Sequence, residues 1–159
     1  MMRLTCAAMT VAAALAIMPP VEAQPVVKRV ITLEQARRVI GAAEAEASRN
    51  GWPCVIAVVD DGGWLIALER MDNPAMLASV ELASGKARTA ALFRKPTADI
   101  EKSIDTGRVA AVTAGGFVEM QGGIPLQLGG QIAGAIGVSA DMPAHDEQIA
   151  EAGVRALEQ

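Results

Sequence analysis

Two runs of β-favouring residues, CVIAVV (54–59) and WLIALERM (64–71), stand on either side of the tetrapeptide DDGG. Aspartate and glycine accept the backbone angles of a tight turn, so the runs are tied into an antiparallel hairpin. An isolated hairpin is marginal in water. The rest of the chain must therefore supply further strands and a cover for the apolar face.

The cover is legible on the N-terminal side. In TLEQARRVIGAAEAEASRNG (32–51), Leu33, Ala36, Val39, Ile40, Ala43 and Ala47 recur at helical spacing. Thr32 is placed to cap this helix, Gln35 to complete a capping box, and Gly51 to stop it. After the hairpin, Asn73-Pro74 opens a second helix over 75–93, with proline at its first position. That helix must end before Pro96, because a residue preceding proline is pushed out of the helical region. Thr97 then caps a short helix, ADIEKSID (98–105).

The last third changes character. Glycine pairs recur every seven residues, at Gly115-Gly116, Gly122-Gly123 and Gly129-Gly130, around FVEMQ (117–121) and IPLQL (124–128). They predict a meander of short antiparallel strands with glycine turns, closed by QIAGAIGVSA (131–140). Gly134 and Gly137 within that last strand mark a bulge or a close backbone approach. HDEQIAEAGVRALEQ (145–159) follows as a helix with acids in its first turn, favourable for the helix dipole. The sum is an α+β domain: one antiparallel sheet of about five strands with helices packed on it.

The first 23 residues stand outside this domain. Arg3 followed by an uncharged, alanine-rich run to Met18, then Val21 and Ala23, reads as a secretory signal peptide cut after Ala23. Residues 24–159 then form a single exported domain, periplasmic or secreted. Cys6 leaves with the leader, and Cys54 remains alone in an apolar run, a small hydrophobe without a disulfide partner.

Several chemistries are excluded. A net charge of −4 and four aromatic residues give neither a basic stripe nor a stacking platform, so nucleic acid is not a partner. There is no phosphate-binding glycine loop and no nucleophile elbow around Ser139. A single histidine, His145, rules out zinc sites that need two from one chain. The acidic pairs Asp60-Asp61 and Asp146-Glu147 have structural explanations as turn and helix-opening residues, so no catalytic residue is assigned.

GKARTAALFRKPT (85–97) is different, because cations and a hydroxyl interrupt small apolar residues. Lys86, Thr89, Ala90 and Phe93 share a helical face by their spacing, with Arg88 and Lys95 on a neighbouring one. That face is either an ordinary mixture of solvated and core positions or a seat for a flat anionic ligand. His145 is the only imidazole open to an iron, and Met71, Met76, Met120 and Met142 are packing residues first.

Taken in order, IAVVDDGGWLIALERMD (56–72), GKARTAALFRKPT, GGIPL (122–126), GGQIAGAIGVSA (129–140) and DEQIAEAG (146–153) resemble the GlcG/HbpS family of small haem-binding proteins, related to the C-terminal domain of PduO-type proteins. The resemblance spans residues 32–157. It implies a profilin-like α+β fold, homo-oligomers and haem as ligand of some members. For exported members it implies haem capture or redox sensing beside a membrane sensor. Carried over residue by residue, the family's K-A-x-T-A element falls on Lys86, Ala87, Thr89 and Ala90, which makes Lys86 and Thr89 candidate haem contacts; Phe93 and Arg88 join them from their places on the same and the neighbouring helical face. Thr89 matches the threonine that meets iron in the haem-binding branch, and His145 is the second candidate metal contact. The alternative is a small organic-acid binder or enzyme, with backbone N–H groups of 122–126 on a carboxylate and Arg88 or Arg94 as clamp.

Overall fold

The computed structural model describes residues 24–158. The leader and its cleavage point lie outside these residues. Helix α1, Leu33–Asn50, is held by the capping box. Gln35 N donates to Thr32 Oγ1 at 3.2 Å and Thr32 N donates to Gln35 Oε1 at 2.9 Å. Gly51, at φ +71°, ends it in the left-handed region.

Strands β1 (Val55–Asp60) and β2 (Leu65–Arg70) form the hairpin. Its turn is organised by one carboxylate: Asp60 Oδ1 accepts from Gly62 N and from Trp64 N, both at 2.9 Å. The next helix, α2 (Ser79–Phe93), starts five residues later than Asn73-Pro74 implies. Asn73 takes a left-handed φ of 55°, and the chain turns through 72–78 before helical geometry begins. Helix α3 spans Thr97–Asp105, and a 3-10 turn follows at Val109–Thr113. Thr97 does not cap α3. It is the helix's first residue, and its hydroxyl accepts from Gly123 N at 2.8 Å.

Strands β3 (Gly123–Leu128) and β4 (Gln131–Ser139) complete one sheet of order β2-β1-β4-β3, antiparallel throughout. It has four strands, not about five. The missing one is 117–121, whose backbone donors go to side chains instead of a neighbouring strand. Val118 N donates to Thr89 Oγ1 at 2.9 Å, and Gln121 N to Glu101 Oε2 at 2.7 Å. Of the three glycine pairs only Gly129-Gly130 makes a hairpin turn. Both residues have positive φ, 57° and 76°, as a two-residue turn matched to strand twist requires.

Helices cover both faces of the sheet. Ile56, Val58, Ile136 and Val138 pack with Val39, Ala43 and Ile149 of α1 and α4, where α4 is Pro143–Leu157. Val55, Ala57, Val59 and Ala135 face Ala83, Ala87 and Ala90 of α2. Alanines bury little area each, so α2 gains cohesion by lying close. Gly137 permits this, since a Cβ there would overlap the Ala83 carbonyl and the Ala87 amide. The closing strand thus uses its glycine for close approach, as read from sequence.

Candidate functional site

The polar side of α2 is not a solvated face. Lys86 is 1% exposed, and its Nζ donates to Asp146 Oδ2 at 2.6 Å and to Val138 O at 3.1 Å. It starts in the α2 layer and ends at the first turn of α4, so it spans the two helical layers. It gets there because Gly122 carries no side chain, for a Cβ there would meet Asp146, the Val138 carbonyl and Lys86 Nζ. Asp146 Oδ1 accepts from Ala140 N at 2.5 Å. Burial pushes the Asp146 carboxyl above its ordinary range, with the Lys86 ammonium pulling the other way. In this structure the Lys86 ammonium, expected as a ligand contact, is buried and paired with the Asp146 carboxylate.

Thr89 is fully buried beside it. Its Oγ1 donates to the Gly85 carbonyl at 2.8 Å and accepts the Val118 N–H. The segment 117–121 lies across this part of α2 like a strap. It lies there because Gly85 has no Cβ to strike Val118. In this arrangement the hydroxyl faces the strap and not an open site. Arg88 is half-buried, its guanidinium 5.9 Å from the centre of the Trp64 ring and 6.0 Å from that of Phe117.

His145 belongs to another part of the molecule. Its ring stacks on Trp52 at 3.6 Å and 9°, and Nδ1 pairs with Asp141 Oδ1 at 2.8 Å. That hydrogen bond holds the Asp141 carboxyl below its ordinary range. Trp52 packs with the α1–α4 core, whereas Thr89 is on α2, across the sheet. The two candidate metal contacts are therefore not brought together within one chain. Among the described residues no group of three or more histidine, cysteine, aspartate or glutamate side chains is placed to hold a metal ion. Cys54 is buried, and burial pushes its thiol up to about 12, so it is a packing residue.

In the organic-acid arrangement at 122–126, two of the backbone donors are engaged within the protein. Gly122 N donates to Glu147 Oε2 at 3.1 Å, and Gly123 N to Thr97 Oγ1. Burial raises the Glu147 carboxyl. Asp146 lies in the first turn of α4 as expected, and with Glu147 it also ties that turn to the sheet through Ala140 N and Gly122 N.

What the structure does open is a cleft of about 330 Å³ between the end of α2, α3 and the 3-10 turn. Phe93 lies in its wall, with Ile100 and the alanines at 110, 111 and 114. The Phe93 ring is half-exposed and braced edge-on by Phe117 at 4.9 Å. Lys95 and Arg108 line it, and so does Glu119, whose Oε1 is buried without a hydrogen-bond partner. Of the candidate contacts only Phe93 reaches this cleft. Lys95, placed by its spacing on the face beside Lys86, lines the cleft, whereas Arg108 and Glu119 carry no sequence signal, since nothing in the sequence pairs position 95 with 108 or 119.

Comparison with known proteins places the chain. The family model described as haem degrading protein HbpS-like matches residues 31–155. Protein GlcG of Escherichia coli strain K12 is 45% identical over 112 residues, covering 70% of this chain and 83% of that one. The crystal structure of a double mutant of Streptomyces reticuli HbpS superposes with a TM-score of 0.77 at 29% identity, over 88% of this chain and 97% of its own. A structure described as the PduOC:heme complex superposes with a TM-score of 0.73 at 26% identity, over 80% and 94%.

Proposed function

The chain belongs to the HbpS-like family, and from that membership we propose that it is a haem-binding protein whose ligand is held at the Phe93 cleft. One observation carries the location: an exposed aromatic ring and apolar walls share a cleft with two cations. Among the described residues neither Lys95 nor Arg108 is in an ion pair. The donor set fits the group. Phe93, Ile100 and the alanines match the flat apolar surface, and Lys95 and Arg108 match the propionates through charge-assisted hydrogen bonds. A volume of about 330 Å³ is at the small end of ligand pockets, so the cleft encloses part of a macrocycle and not all of it. Haem would supply a redox-active iron. The chain's own residues bind the ring and orient its acid groups. Thr89 becomes available to iron only when the strap at Val118 lifts.

A haemin titration followed by its Soret band tests this reading. A saturable shift is expected, weakened in Phe93→Ala and in the Lys95→Ala/Arg108→Ala pair and unchanged in His145→Ala. The absence of a saturable shift in the unaltered protein would overturn it.

Three wider elements belong to the same proposal. Export rests on the character of residues 1–23, and N-terminal sequencing of protein recovered outside the cytoplasm is its check. Homo-oligomerisation rests on exposed Trp64 and Leu65 at the start of the edge strand β2, and light scattering that reports only monomer would remove it. Redox sensing beside a membrane partner rests on the family resemblance, and a pull-down from native membranes that returns no membrane protein would remove that part.

A further inference from the structure

We infer that the Phe93 cleft takes a small zwitterion, an α-amino-acid-like molecule, with its carboxylate on Lys95 and Arg108 and its ammonium on Glu119. The inference does not rest on the haem reading, because the observation that carries it is Glu119, which a haem leaves unused; the two ligands would share Lys95 and Arg108 and so compete for the cleft. Among the described residues Glu119 Oε1 has no hydrogen-bond partner, and it is shut away from solvent. A buried oxygen with no donor is costly, and proteins retain few of them. Two cations line the same cleft, yet neither approaches Glu119 to within ion-pair distance. Charges of both signs are thus present and unspent.

The pattern excludes simpler ligands. A bare anion would satisfy Lys95 and Arg108 but leave Glu119 unpaired and repelled. A bare cation would satisfy Glu119 against two like charges. A molecule carrying both signs satisfies all three.

The hydroxyls of the cleft sharpen the choice. Ser103 Oγ donates to the Ile100 carbonyl at 2.7 Å, and Thr113 Oγ1 to the Ala110 carbonyl at 2.7 Å. With their protons committed, both oxygens can only accept from a ligand. Both residues line the cleft with Glu119, so its wall carries further acceptors for a ligand's ammonium. Metallated haem has no such donor, so this chemistry points to a second ligand class. Phe93 and the alanines leave an apolar strip for the ligand's side chain.

The test is calorimetry and thermal shift on the full protein with a panel of common α-amino acids. Each is paired with the acid lacking the amino group and the amine lacking the carboxyl. At least one amino acid is expected to bind and to exceed both of its one-ended analogues by roughly tenfold or more. Glu119→Gln should reduce that amino acid's affinity by a similar factor and leave the acid analogue's affinity unchanged or improved. Glu119→Leu should abolish amino-acid binding yet raise the unfolding midpoint of the free protein, because it removes an unsatisfied buried oxygen. A merely structural Glu119 would lower that midpoint. No binding by any amino acid, or equal binding by an amino acid and its deaminated acid, would overturn the inference. A Soret response without amino-acid binding sinks this inference alone. Amino-acid binding without a Soret response sinks only the haem reading.

Discussion

Lys86 shows how far a residue's role depends on what its neighbours lack. At position 86 a cation on a mostly apolar helix reads as a ligand contact or a solvated charge, and the fold buries it against Asp146. Its tetramethylene stem runs past a glycine and delivers the ammonium to Asp146. A buried pair of this kind contributes little net stability, but breaking it is severe, because the surviving charge stays buried alone. Lys86→Met is therefore expected to cost about 3–5 kcal/mol. Lys86→Met/Asp146→Asn should be milder than Lys86→Met alone, since the asparagine oxygen still accepts from Ala140 N and no charge remains. Denaturant unfolding of both variants checks the order. A double variant no more stable than the single would show that the pair is not what Lys86 supplies.

At the scale of elements, the fold was legible wherever local chemistry decides the structure. The capping box at Thr32 and Gln35 fixed α1, the DDGG turn fixed the first hairpin, and the spacing of Gly134 and Gly137 foretold close packing. The errors arose where partners distant in sequence decide. Segment 117–121 has strand-like residues, but Thr89 and Glu101 take its backbone donors. Likewise the cleft is assembled from residues 93–119 by the way α3 and the 3-10 turn fold back on α2. No sequence spacing announces that return, so of the candidate contacts only Phe93 proved to line it. The packing of α2 on β4 carries its own test. Gly137→Ala places a methyl between two rigid backbones, where no side chain can yield. It is expected to be more damaging than a typical substitution, by more than about 3 kcal/mol. Gly41→Ala, which meets nothing within 4 Å, should stabilise slightly through helix propensity. Thermal melts that rank the two alike would contradict the close contact.

For the molecule as a whole, acidity is a lever on stability. Burial holds the Glu147 carboxyl above 4.5 and the Asp146 carboxyl above 3.8 in the folded state. A carboxyl that keeps its proton more tightly when folded gives the native form the larger share of protons. Its contribution to stability is then greatest below those unfolded values and declines as pH rises through the raised folded ones. Glu147→Gln keeps an oxygen for Gly122 N but no longer titrates. Its stability profile between about pH 4 and pH 7 should fall less steeply than that of the parent. Parallel profiles would show that Glu147 does not titrate differently on folding. The link between Lys86 and Asp146 also bears on cooperativity. α2 and α4 lie on opposite sides of the sheet, and the link is a single buried bond. Peeling either helix away would strand a charge inside the remaining half. Neither layer has a cheap route to open alone, so the sheet and both coats melt as one unit. The strap at 117–121, tied to Thr89 and Glu101 through two backbone donors, stands outside that link.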